Sequence, residues 1–517
     1  MRKKVSIFNE VLGPVMHGPS SSHTAASYFI SRMIRNLLDD EPETVSIAFA
    51  EGGSYAEVYS QQGGDLGFAT GLMGWPITDE RFFDSLEQAQ DSGLSITFTV
   101  RVLEGDDHPN AIEIHGASKG GREIHVNAKS IGGGAVELRR LNDWEVHITG
   151  DAYDYIVDAE SHVASEIARI LAHDDQVLRG PSIEERDGGA LVAVQRLKPL
   201  DEAAFNKINS AKGVRSIWKT RPTRFPKPGE PLFHSGAGLV EYAEKKGCTL
   251  GDAALDYEAA LLEIPRREAV DEMWRRYEIM AHAVEQGLKG EIRGMQLLEP
   301  SAQKIYERED RGDLAIGGLH TKAAARALAA MHVNSSMGVV CAAPTGGAAG
   351  TIPGVITTLV EEKGLDKIQT VKALFAAGAV GLVLATRGTF AAEVAGCQVE
   401  IGAAGAMSSA AVVEAAGGSV RQALDAAAIS FQNTMGSPCD LVQGIVEIPC
   451  HTRNAVAASS AFVCADLILG GYSNPVPLDE TIDAVMEVGR MLPRELRCTA
   501  LGGLATAPSA LALKRLR

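Results

Sequence analysis

The chain has too few cations to be drawn to polyanions. Its 517 residues hold 49 Lys and Arg against 66 Asp and Glu, a net charge of −17, and the isoelectric point is near 5.3. That balance excludes nucleic acid and anionic membranes as general partners, while leaving room for a small anion in a local basic pocket. No run of 18 apolar residues free of charge occurs, so no membrane span is expected. The basic head Met1-Arg2-Lys3-Lys4 is followed by neither an apolar stretch nor a small-residue cleavage site. No signal peptide is predicted, and the default location is cytoplasmic. Cysteine is sparse and odd in number, seven in all, which argues against a disulfide framework in a chain of this size. The choice for these thiols is simple burial or metal ligation.

What the chain does have is length for two to four domains and a composition that changes twice. Up to about Asn142 helices and strands mix. Thr24–Leu38 reads as a helix opened by a Ser/Thr-rich loop, and Val45–Ala50, Leu94–Leu103, Ala111–His115 and Arg122–Val126 alternate as strands. Gly132-Gly133-Gly134 marks a tight backbone passage. From Trp144 to about Thr220 the order is β-α-β-β-α-β, with a hairpin signal at Asp187-Gly188-Gly189, the order of a small ferredoxin-like module. Four prolines between Pro222 and Pro231 predict a stiff linker. Beyond Gly236 the chain reads as almost all helix. Its segments Val371–Leu384 and Met407–Ala416 are rich enough in Ala and Gly to require close backbone packing.

Several constellations could carry chemistry. Gly18-Pro19-Ser20-Ser21-Ser22-His23-Thr24 precedes a helix, where it either caps the helix or presents N–H groups to a carboxylate. Cys341–Gly350 is glycine-rich but lacks the Lys-Ser/Thr ending of a phosphate loop. It serves either backbone approach to a ligand or helix packing. No lysine motif for pyridoxal phosphate stands out. Of the histidines, His23, His108 and His320 sit in loop-like contexts that suit acid/base work, whereas His125, His162 and His173 read as ordinary. Cys397, Cys439 and Cys450 are spaced by 42 and 11 residues, unlike short-spaced ferredoxin patterns. If they did hold an iron–sulfur cube, three thiolates would leave one iron open to act as a Lewis acid.

Taken together, these motifs resemble the iron–sulfur-dependent L-serine dehydratases (L-serine ammonia-lyases). The N-terminal part is similar to the family's β component through Gly18–Thr24, Gly53-Ser54-Tyr55-Ala56, His108-Pro109-Asn110 and Ser130–Gly134. The C-terminal part is similar to the α component through Pro344-Thr345, Gly396-Cys397-Gln398 with Glu400, Cys439-Asp440, Pro449-Cys450 and Gly502-Gly503-Leu504-Ala505. The middle resembles an ACT domain. The resemblance implies a multidomain protein: an α+β domain at 1–143, an ACT-like βαββαβ module at 144–220, a linker at 221–232 and an all-α domain at 233–517 holding the cluster. It implies a [4Fe–4S] cluster on Cys397, Cys439 and Cys450. His23, Ser20, Ser22 and Asp65 would be catalytic, and Ser21, Thr24, Thr345 and Asn110 would bind substrate; Arg387 is added to the substrate-binding set by a departure from the pattern, not by the resemblance. It implies dehydration and deamination of L-serine, or of a close β-hydroxy amino acid, in amino-acid metabolism feeding gluconeogenesis. The partner would be a small amino acid, with no nucleic acid or membrane, in a homodimer or larger homo-oligomer. The cysteine tail that one subgroup uses as an internal ligand has no counterpart in Lys514-Arg515-Leu516-Arg517.

The chain also departs from that pattern. The family's Lys-Gly-His-Gly-Thr-Asp stretch is Ser60-Gln61-Gln62-Gly63-Gly64-Asp65, so Gln62 stands where a histidine is usual. The Asn-Asn-Ala-Ser-Ile-Ser stretch is Thr386-Arg387-Gly388-Thr389-Phe390-Ala391, and the proline after Cys-Asp is Leu441. Arg387 raises the expectation of an extra anionic group on the substrate, paired by the guanidinium. The rival expectations are a cysteine desulfidase, with thiol as leaving group, and a non-catalytic amino-acid or redox sensor.

Overall fold

A computed structural model describes residues 3–104 and 108–516. The first sheet has six strands in the order Ser95–Arg101, Pro42–Ala50, Ala111–Ser118, Glu123–Gly132, Ala135–Leu141, Trp144–Ile148. Pro42–Ala50 and Ser95–Arg101 run parallel, and the remaining pairs are antiparallel. Glu123–Gly132 alternates strictly between buried and more exposed residues, the period of a sheet with one face on a core. Helix Ala26–Leu38 covers that face with Phe29, Ile30, Met33, Ile34 and Leu37, an apolar stripe at helical spacing. Trp144–Ile148 is the edge strand here, so the first sheet extends past residue 143. Leu141↔Trp144 pairing across a tight turn at Asn142 (φ 52°) draws it in.

The next sheet has four antiparallel strands in the order Val214–Lys219, Tyr153–Glu160, Gly189–Arg196, Val177–Arg186. Helices Ser161–Leu171 and Glu202–Asn209 complete the expected β-α-β-β-α-β succession. Asp187 and Gly188, at φ 43° and 77°, make the hairpin turn that their sequence predicts. The proline-rich segment is not a free spacer. Phe225 and Asn9 exchange hydrogen bonds of 2.9 and 2.7 Å, and Lys227 lies between Glu10 and Asp151 at 3.0 and 3.2 Å.

The C-terminal part is a helical bundle around Leu319–Ser335, Lys367–Arg387, Ile401–Ala415, Val420–Thr434 and Cys450–Leu469. Its one described strand, Val339–Cys341, pairs with Val15–His17 and ties the two ends of the molecule together. Lys367–Arg387 is long and apolar enough to cross a membrane, yet its apolar window is 83% buried inside the bundle, the placement of a core helix. The small residues there admit the N-terminal turn Ile7–Val11. A Cβ on Gly381 would lie 2.2 Å from Val11, and one on Gly378 would lie 2.7 Å from Ile7. Residues 5–12 therefore belong to the helical core, not to the sheet that follows them. Buried Glu258 accepts the Ile7 and Phe8 N–H groups at 2.7 and 3.0 Å and the Ser6 hydroxyl at 2.5 Å, while Arg276 donates to the Phe8 carbonyl at 2.9 Å. These charge-assisted bonds hold a polar backbone turn inside an apolar bundle.

Candidate active site

The tight turn Ser21–Ala25 feeds helix Ala26–Leu38, and Ser20 to Thr24 are all buried. A buried run of hydroxyls must find partners, and the partners define the site. Ser22 donates its only hydroxyl hydrogen to Glu393 Oε1 at 2.6 Å. Ser54 donates to the Cys498 carbonyl at 3.0 Å, so its lone pair accepts from His23 Nε2–H at 3.1 Å. His23 is thereby held in the tautomer whose Nδ1 bears the lone pair. Ser20 donates to that nitrogen at 3.1 Å. Burial lowers the His23 pKa below its ordinary 6.5, while the Glu393 carboxylate 3.8 Å away and the bond to Ser54 oppose the shift. At neutral pH the imidazole is an uncharged proton acceptor.

Ser21 accepts the Gly346 N–H at 3.2 Å, and Thr24 donates to the Gln62 carbonyl at 2.7 Å. A Cβ on Gly346 would lie 2.6 Å from the Pro19 carbonyl oxygen. The glycine-rich stretch also serves helix packing, since Gly350 and the following Gly354 pack against Met331 and Ala327 of helix Leu319–Ser335. Around Gly347, Glu400 Oε2 and Thr345 Oγ1 face one space, 3.6 and 3.8 Å from where a Cβ would lie. Removal from water pushes the Glu400 carboxyl well up, with the Cys397 and Glu393 charges adding to it. The buried groups of this site with polar atoms lacking a hydrogen-bond partner among the described residues include Glu393, through Oε2, the Asn110 amide and the Thr345 hydroxyl. Buried orphans of this kind are costly, and they mark where a ligand's polar groups belong.

The thiols sit directly beside this network. Glu393 lies on the short helix Ala392–Ala395, and Gly396 (φ 77°) turns the chain so that Cys397 follows at once. Ligand atoms of Cys397, Glu400 and Cys439 lie within 4.8 Å of one another. The Cys397 thiol is lowered, chiefly by the hydrogen bond from Cys439 and with help from the Arg453 guanidinium. Cys439, the donor in that bond, is raised well up. Cys450 begins helix Cys450–Leu469, and burial together with the Cys397 and Glu400 charges raises it. None of the three is in a disulfide. A buried group of soft donors with a cationic Arg453 alongside fits a thiolate-bound metal centre. Arg453 also pairs with Asp440 at 2.9 Å, and Asp440 accepts the Leu504 N–H at 2.9 Å. A Cβ on Gly503 would lie 2.5 Å from that carboxylate, which is the physical reason for glycine there.

The structure brings His23, Ser20, Ser21, Ser22, Thr24, Thr345 and the three cysteines together. Asn110 adjoins them, because the Pro109 carbonyl packs on Gly53 beside Ser54. Asp65 makes its hydrogen bond away from this network. Its carboxylate accepts the Leu66 N–H at 2.9 Å at the start of its own helix. Arg387 lies outside, correcting the expectation of an anion-binding group: it pairs with Asp483, Nε to Oδ1 at 2.9 Å, and with Asp479 at 3.8 Å. Its charge is already met at the surface. His320 bonds the Ser459 carbonyl at 3.1 Å, a structural role, and His108 Nδ1 accepts the Asn110 N–H. Sequence reasoning gave no role to Glu393, although a lone acid in Ala391-Ala392-Glu393-Val394-Ala395 was a signal. Cys498 also carries no sequence motif of its own. Yet the Cys498 N–H donates to the Cys439 carbonyl at 2.8 Å, and Gln62 donates to Cys498 Sγ at 3.7 Å. Nothing local in the sequence announces that approach.

Residues 194–505 match the family model for the serine dehydratase alpha chain. The probable L-serine dehydratase alpha chain of Bacillus subtilis (strain 168) is 36% identical over 284 residues, 55% of this chain and 95% of that one. The L-serine dehydratase alpha chain of Peptoniphilus asaccharolyticus is 32% identical over 285 residues, 55% of this chain and 98% of that one. The probable beta chain of Bacillus subtilis is 31% identical over 219 residues, 41% of this chain and 97% of that one.

Proposed function

The chain belongs to the serine dehydratase alpha chain family, with a beta-chain-like part fused to it, and from that premise we propose that it converts L-serine to pyruvate and ammonia. The relatives' names support the substrate. The observation that carries the chemistry is the buried Ser22–Glu393 and Ser20–His23–Ser54 network set against the cysteines, with Glu393 Oε2 left open.

In this reading Cys397, Cys439 and Cys450 hold a [4Fe–4S] cluster. When bound, it supplies an open Lewis-acidic iron for the departing hydroxyl. The chain's own residues do the rest. The serine-lined turn receives the substrate carboxylate beside Thr345 and Asn110. Neutral His23, reached through the Ser20 hydroxyl, accepts the α-proton at Nδ1, and Glu393 stabilises the imidazolium that forms. Ser54 fixes the tautomer throughout. The closed site keeps bulk water from competing for these groups. Loss of hydroxide leaves an enamine, which becomes an imine and hydrolyses to the keto acid and ammonia. Gln62, where the family has a histidine, donates instead of accepting, which supports His23 as the base.

Residues 1–143 form the β-type part of this proposal, 144–220 the ACT-like module, 221–232 the linker and 233–517 the α-type part. The N-terminal turn and strand Trp144–Ile148 cross those lines. The test is anaerobic purification, iron and sulfide analysis, and keto-acid release from a panel of β-hydroxy amino acids and cysteine. About four irons per chain with pyruvate from L-serine is expected. Turnover restricted to an acidic analogue, sulfide release from cysteine, or an iron-loaded protein without turnover would each overturn the reading.

A further inference from the structure

A second cavity, of about 600 Å³, opens where the two sheets, the proline-rich segment and the helical bundle meet. Its floor is charged and mostly buried. Lys227 reaches Glu10 and Asp151 at 3.0 and 3.2 Å, so both carboxylates are already engaged. Arg224 is only 7% exposed. It donates through Nη2 to the Thr149 carbonyl at 2.6 Å, and Nη1 approaches Glu10 no closer than 3.7 Å. Its Nε and Nη1 have no hydrogen-bond partner among the described residues. A guanidinium this deeply buried with unmet N–H groups is expensive, and the cavity is the space it lines. Exposed Arg179 adds a further cation to the lining, beside Lys3, Lys4 and Lys227. The unmet capacity is all of donor sign, while part of the wall is apolar, from Ile131, Val136 and Phe390.

We propose that this junction binds a small carboxylate through Arg224, at a site separate from the His23 network. A compact anion with a short carbon chain matches unsatisfied donors beside apolar wall. The site is also placed to influence the candidate active site. Thr389 and Phe390 line the cavity. Thr389 Oγ1 accepts the Ala391 N–H at 3.0 Å, and Ala391 packs on Gly132, where a Cβ would lie 2.7 Å from the Ala391 nitrogen. Ala391 in turn begins the helix that carries Glu393. An occupant pressing on Phe390 thus acts three residues from the buried carboxylate. Thr389 and Phe390 belong to the stretch Thr386–Ala391, where this chain departs from its family.

The experiment is calorimetric titration of pyruvate into the full chain and into R224Q, R179Q and H23A, each checked for native circular dichroism. Binding to the wild type that weakens tenfold or more in R224Q, weakens in R179Q and persists in H23A is expected. Because Arg224 also holds the Thr149 carbonyl, R179Q keeps the test decisive if R224Q fails to fold. Binding lost in H23A but kept in both arginine variants assigns the heat to the first site and overturns the proposal. Absence of binding in the wild type also overturns it. Neither result bears on serine turnover, so the proposed reaction stands or falls separately.

Discussion

The two halves of the candidate site are built on opposite principles. The hydroxyl half, Ser20 to His23 with Ser54, comes from the N-terminal sheet region, and nearly every proton in it is committed to a named acceptor. The thiol half, Cys397, Cys439 and Cys450, comes from the helical bundle. Its members hold one another's protons and lean on Arg453 for charge. The first half orders itself and positions a base, with Glu393 Oε2 unpartnered among the described residues. The second is a set of buried soft donors whose mutual repulsion a metal would relieve. The difference says that order in the first half comes from hydrogen bonds, whereas in the second it comes from what the thiols bind.

The largest expected effect breaks the thiol half. Cys397→Ser should abolish iron binding and all turnover, while the far-ultraviolet circular dichroism stays native. Full iron content in that variant would remove Cys397 from the ligand set. Cys498→Ser sharpens the same point: it should keep iron at the wild-type level, because the assigned ligands are the other three. Next comes the hydroxyl half. Glu393→Gln should lower kcat/KM by about 10²- to 10⁴-fold with iron content unchanged. The Glu393 charge raises the His23 pKa against burial, so removing it should also move the acidic limb of the pH profile further below 6.5. A profile that does not shift would separate Glu393 from His23.

Much of this was legible in the sequence, for reasons that differ between regions. The strands and the β-α-β-β-α-β order follow from alternation and turn residues, which act locally. The serine-rich turn and the cysteines carry motifs, so they were named before any geometry. Glu393 and Cys498 escaped because their roles depend on approach across the fold: Ser22 to Glu393 spans 371 positions. Arg387 misled for the same reason. Its partners Asp479 and Asp483 lie on the far helix Leu478–Met491, and no local pattern shows that they neutralise it. The packing of the N-terminal turn in the helical core was not legible because Glu258, which holds it, lies about 250 residues away.

A smaller effect distinguishes the halves by pH. Behind the thiols, His332 and His451 lie with ring centroids 5.2 Å apart, and burial lowers them to about 4 and about 3. His451 is anchored by Ser335 at 2.8 Å. Both are neutral in the native state, while the unfolded chain binds protons there near pH 6.5. Their contribution is therefore full above 6.5 and is lost as pH falls toward 4 and then 3. The loss for His332 reaches up to about 3 kcal/mol. Urea midpoints measured between pH 7.5 and 5 should fall, and His332→Gln should flatten that slope. An unchanged slope would mean that these histidines are not the acid-sensitive element.

The smallest effect comes from a residue outside both halves. Arg387 is 30% exposed and pairs with two carboxylates on helix Leu478–Met491. A solvent-screened pair of this kind contributes about 0–1 kcal/mol. Arg387→Ala should therefore lower the thermal midpoint by a few degrees at most and leave kcat/KM for L-serine within about twofold, since its charge faces Asp483 and not the Ser20–His23 network. A tenfold or greater rise in KM, with iron content intact, would mean that the guanidinium leaves Asp483 to meet substrate. The hydroxyl half would then need a charged member beyond Glu393.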